Sequence, residues 1–119
     1  MRWVTSLALG LACAAGAAAH WPAPEEVIAE IRGAAGREAG VVEVARDAHT
    51  ARLLVVRVGG RWSDQTPERQ RALADDWLAH WREAVPDGLV GVVDAASGRP
   101  VINYDARGQA RVPPRPTPP

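Results

Sequence analysis

Residues 66–85 read TPERQRALADDWLAHWREAV, and they decide how the rest of the chain must be arranged. Thr66 offers a hydroxyl cap, Pro67 a ring that presets the first helical φ, and Glu68 a carboxylate near the positive helix end. Leu73, Trp77 and Trp81 then recur every four residues, with Ala74, Leu78 and Val85 beside them. On a 100° wheel these side chains form one apolar stripe about 140° wide, and Arg69, Asp75, Asp76, Arg82 and Glu83 fall outside it. The spacing predicts an amphipathic helix from Thr66 to about Val85, stopped by Pro86-Asp87-Gly88.

Such a stripe needs a surface to lie on, and the flanking segments supply it. Gly40–Arg46 and Arg52–Val58 are rich in β-branched residues and are separated by the turn Asp47-Ala48-His49-Thr50, so they read as a hairpin. Val42 and Val44 are expected on one face, and Leu54, Val56 and Val58 on the matching face of the partner. Glu43 and Arg57 then stand outside. Beyond the helix, Leu89–Val93 and Pro100–Tyr104 read as a second hairpin around Asp94–Gly98, where Gly98 can take φ > 0. Upstream, Pro24 with Glu25 and Glu26 opens a shorter helix whose Val27, Ile28 and Ile31 share a face, stopping at Gly33 or Gly36.

Together these elements predict an α+β two-layer sandwich of order αββαββ. Two helices would pack on one face of a single four-stranded antiparallel sheet. In element order alone this is similar to the small secreted domains called BON, which also combine two helices with a few strands.

The ends of the chain read differently. Met1-Arg2 is a short basic start, Trp3 to Ala15 is apolar and small, and Ala17-Ala18-Ala19 fits a signal-peptidase site. Residues 1–19 are therefore expected to be a signal peptide, with cleavage before His20. Export, to a bacterial periplasm or the exterior, follows from that. A retained membrane anchor and lipidation of Cys13 are the alternatives, and only they would tie the chain to a membrane. Cleavage removes Cys13, the one cysteine, so the mature domain would have neither disulfides nor thiol chemistry. Residues 20–105 are expected to form the domain and residues 106–119 a disordered Pro-rich tail.

Composition narrows function by exclusion. The 14 basic residues, all Arg, balance 14 acidic ones, so the electrostatic footprint of a nucleic-acid binder is missing. Ser63 and Ser97 lie in turn-like contexts without a nucleophile-elbow pattern. Asp75 and Asp76 diverge by about 100° on the helix and cannot converge on one substrate. His49 falls in a turn and His80 at the margin of the stripe. Trp62, Trp77 and Trp81 read as core rather than as a binding platform.

One residue points to a metal. With cleavage after Ala19, His20 offers its amine and imidazole together, a chelate suited to Cu(II). This resembles half of the histidine brace of secreted copper proteins and copper-dependent polysaccharide oxidases, and it implies a second His, here His49 or His80. The leading expectation is a non-catalytic binding or envelope-associated accessory domain without a cofactor, more a binding protein than an enzyme. Its protein or envelope partner is unknown. Self-association through the outer sheet face, where Glu43 and Arg57 stand beside Leu53 and Val55, is also expected. Copper binding at His20 is the alternative.

Overall fold

The computed structural model describes residues 21–104 and 107–114. His20, Cys13 and the rest of the expected signal peptide lie outside these residues, as do residues 115–119 of the expected tail.

The long helix, α4, runs Pro67–Ala84 and starts as its sequence dictates: the Arg69 N–H donates to Thr66 Oγ1 at 3.2 Å. Its core stripe is Ala74, Trp77 and Trp81, with Leu73 and Leu78 half-buried at the margins. Ahead of it come α1 (Pro24–Ile31), α2 (Ala34–Ala39), β1 (Val41–Arg46), β2 (Leu53–Val58) and the single turn α3 (Gly60–Ser63). After it come β3 (Leu89–Asp94) and two short strands, β4 (Asn103–Tyr104) and β5 (Ala110–Arg111).

β1 and β2 form the expected antiparallel hairpin, with Val44 opposite Val56. One detail of its pattern differs. A bulge between Val41 and Glu43 lets Val41 and Val44, rather than Val42 and Val44, face the core, and Val42 is left 66 % exposed. α1 and α4 pack against the face built from Val44, Leu54, Val56, Val58, Val90 and Val92. Val27 and Trp81 are fully buried between the layers.

The single four-stranded antiparallel sheet is not what forms. The main sheet has three strands in the order β1-β2-β3, and β3 runs parallel to β2, Leu53 opposite Leu89 and Val56 opposite Val92. The reason lies in α4. An 18-residue helix between β2 and β3 returns the chain to the end at which β2 began, so β3 enters as a crossover partner, not as a hairpin partner. The second hairpin fails for a local reason. The turn after Asp94 does reverse the chain, with the Asp94 N–H donating to the Arg99 carbonyl at 2.8 Å. Pro100 has no N–H to continue the ladder, so the return arm makes an isolated bridge to Val93 and one bond from the Val101 N–H to Val92 O. The chain then leaves the sheet, and Asn103 and Tyr104 pair with Arg111 and Ala110 in a separate two-stranded sheet. Residues 110–111 fall where a disordered tail is expected, yet Ala110 is buried and Val112 packs on the core. Four helices, rather than two, lie among the described residues, because Gly33 divides the first and α3 adds a turn.

Two tryptophans set the close approaches. Gly40 ends α2 at φ 105°, and a Cβ there would stand 2.4 Å from the Trp62 nitrogen. Trp81 donates its indole N–H to Arg52 O at 2.9 Å, and the Arg46 guanidinium lies 5.3 Å from its ring centre.

Candidate functional site

Among the described residues, the sheet is covered on one face. On the other, the register aligns three short rows: Glu43, Arg57 and Val93; Ala45, Val55 and Gly91; and Leu53 with Leu89. Alternation puts these residues opposite the core set, on which the helices among the described residues pack. Leu53, Val55 and Val93 are half-buried by their neighbours, and Leu89 is 40 % exposed. Gly91 keeps the middle low: a Cβ there would meet only Leu53 Cδ1, at 3.8 Å. Glu43 and Arg57 do stand together, at 3.7 Å, in a solvent-exposed pair that stabilises little by itself. The surface is thus apolar at one end and carries one charge of each sign at the other.

Apart from this face, two clefts stand out among the described residues. The larger, of about 420 Å³, opens beyond the carboxyl ends of β2 and β3. Trp62 and Gln70 lie at its base, Asp94 and Arg99 come from the turn after β3, and Val112 and Pro113 form a wall. Its base is rigid: Trp62 is buried and stacked on Trp77 with ring centres 5.6 Å apart, and the Gln70 amide donates to Trp62 O at 2.7 Å. Buried Gln70 gave no sequence signal beyond its place in α4. Asp94 Oδ2 accepts from both the N–H and the hydroxyl of Ser97, each at 2.8 Å. The Ser97 hydroxyl bond, with the backbone bonds of Ser97 and Ala96, holds the Asp94 carboxyl below its usual range. Ser97 is therefore a turn residue serving a carboxylate, and among the described residues no His lines this cleft to activate it or Ser63.

The second cleft, of about 280 Å³, lies between α1, α2 and α4, with Glu30, Arg69, Asp76 and His80 on its walls. His80 bridges the helices. Its Nε2 bonds Glu30 and its Nδ1 lies 3.3 Å from Glu83. Partial burial works against a charged ring, but the hydrogen bonds and charges of Glu30 and Glu83 outweigh it and raise the His80 pKa above 6.5. The two carboxylates occupy opposite ring nitrogens, so they cannot converge on one ion. Among the described residues no group of three ligating side chains could hold a metal.

The remaining sequence candidates fall apart in space. His49 is exposed in the turn after β1, where the His49 N–H donates to Asp47 Oδ2 at 3.0 Å. Asp75 and Asp76 are exposed on α4. His20 lies outside the described residues, and of its two expected partners His80 already has both nitrogens engaged. Trp62, Trp77 and Trp81 are buried, while Trp21 is 80 % exposed. Among the described residues no helix is long and apolar enough to cross a membrane.

Comparison of the chain with protein families, with characterised proteins and with solved structures finds no match.

Proposed function

We propose that this chain is an exported, non-catalytic accessory domain that pairs with a second copy of itself through its uncovered sheet face. The observation that carries the reading is the sheet face left uncovered among the described residues, with Leu53, Val55, Leu89 and Val93 opposite the core set. Contiguous apolar patches of a few hundred Å² on small domains commonly mark interaction sites.

A second copy suits the face better than a strongly charged partner. Glu43 and Arg57 give it one charge of each sign, and residues 20–119 carry 13 basic against 14 acidic residues, close to neutral, so self-approach meets little repulsion. A two-fold axis needs only such a self-complementary patch. Pairing through sheet edges is disfavoured, because β1 carries a bulge and β3 is partly covered by Pro100.

Area sets the strength. Three six-residue strands span about 20 by 14 Å, on the order of 300–500 Å² per copy once side-chain relief is counted. That lies below the range of stable interfaces, so the dimer is weak and concentration-dependent. Sedimentation equilibrium from ten micromolar to one millimolar should show reversible dimerisation. Val55→Glu should abolish it while leaving the thermal transition in place. A wild-type monomer throughout, or a Val55→Glu dimer of unchanged affinity, would contradict the reading.

Copper binding at His20 rests on Ala17-Ala18-Ala19 preceding that residue. Sequencing of the exported protein's N-terminus tests it first, and a Cu(II) titration followed by paramagnetic resonance second. A start other than His20, or no nitrogen ligation, ends it.

A further inference from the structure

We propose that the cleft at the carboxyl ends of β2 and β3 binds a small zwitterion of the amino-acid class, its carboxylate on Arg99 and its ammonium group on Asp94. The site is separate from the sheet face described above. It occupies the position where open sheets with parallel strands hold ligands, outside the strand ends and beside the crossover helix. Its volume of about 420 Å³ lies within the range of small-molecule sites.

Charge decides the class of ligand. Asp94 and Arg99 face each other across the turn, linked by the Asp94 N–H bond to Arg99 O, and both side chains line the cleft. They nevertheless make no ion pair. The Asp94 carboxylate turns to Ser97 instead, and the Arg99 guanidinium has no ion-pair or hydrogen-bond partner among the described residues. The Asp94 carboxylate offers about four lone-pair sites, so beside the two bonds from Ser97 and the backbone bond of Ala96 it can still accept a donor from a ligand. A purely anionic ligand would meet Asp94, and a purely cationic one would meet Arg99. A ligand with both charges satisfies both residues, and charged groups leaving water need such pairing.

The walls define the rest of the ligand. Pro100, Val101, Val112 and Pro113 are apolar and offer proline ring faces to an apolar or aromatic side chain. The base needs no ordering on binding, since Trp62 is already held by Trp77 and by Gln70. Ser63 and Asn103 add polar groups at the rim.

L-phenylalanine is a suitable probe, followed by amide chemical shifts in the full chain. Saturable shifts are expected at Ser97, Arg99 and Val101. N-acetyl-phenylalanine lacks the cation and phenylalaninamide lacks the anion, so each should bind at least about tenfold more weakly. Arg99→Gln, at an exposed position, should weaken phenylalanine by about tenfold or more at an unchanged melting temperature. Arg57→Gln, on the sheet face, should leave it unaffected, and Val55→Glu likewise, which separates this site from dimerisation. No saturable shift up to tens of millimolar would overturn the proposal. So would equal binding of the blocked derivatives, or undiminished binding by folded Arg99→Gln.

Discussion

His80 joins α1 to α4 through a bond to Glu30, with Glu83 on its other nitrogen. Its folded pKa lies above the ordinary 6.5 because the two carboxylates outweigh the cost of partial burial. The protonated ring therefore stabilises the fold fully below about pH 6.5, and the contribution is lost as pH rises through the folded value. Arg69 and Asp76 line the same cleft. The melting temperature should fall between pH 6 and pH 8, and the fall should shrink in His80→Gln. An identical pH profile in the variant would show that the bridge contributes nothing. None of this was legible beforehand, because Glu30 and His80 are fifty positions apart and only the packing of α1 on α4 joins them. The tryptophans were legible, since Trp77 and Trp81 repeat at helical spacing and both are buried. Val42 was misleading. Alternation assigns it to the core face, and a single bulge reverses it.

Elements were readable wherever their signals are local. α4 begins at Thr66-Pro67-Glu68 and ends before Pro86, and all of its start signals lie within one turn. Thr66→Ala should cost about 1 kcal/mol in urea unfolding, because the Arg69 N–H loses its cap. An unchanged midpoint would mean that the cap bond is not made in solution. β2 was equally plain, as Leu54, Val56 and Val58 alternate without interruption. What failed was pairing, a non-local property. Leu89–Asp94 reads as a strand, but nothing in its residues says whether β2 lies beside it parallel or antiparallel; the length of the intervening helix decides. Pro100 was the available clue against a second full hairpin. Its missing N–H breaks the ladder, and so the return arm contributes a bridge instead of a strand. β5 was hidden because two paired residues are too few to show a period, and prolines follow at once.

At the scale of the whole molecule, the layer arrangement matters more than the strand count. Two helices on one face of a three-stranded sheet bury a core of Trp, Val, Leu and Ile, and among the described residues the opposite face is left uncovered. Placement of Glu43 and Arg57 on that face was legible from the alternation of β1 and β2. Its third row was not, because Leu89 and Val93 join it only through the parallel pairing of β3. The cleft beyond the carboxyl ends of the same strands has the same origin: Trp62, Asp94, Arg99 and Pro113 come from separate segments that the crossover assembles. The pairing proposed above sets the uncovered face against its own copy. It is tested most directly by dipolar electron resonance on a chain beginning at His20, which holds no other cysteine, with a nitroxide on Val42→Cys at the edge of the face. Two sheets packed about 10 Å apart bring equivalent labels on the two copies within about 40 Å. One intermolecular distance in that range is expected at several hundred micromolar, lost when Val55→Glu is added. A spectrum without intermolecular coupling at that concentration, or coupling that survives Val55→Glu, would contradict it.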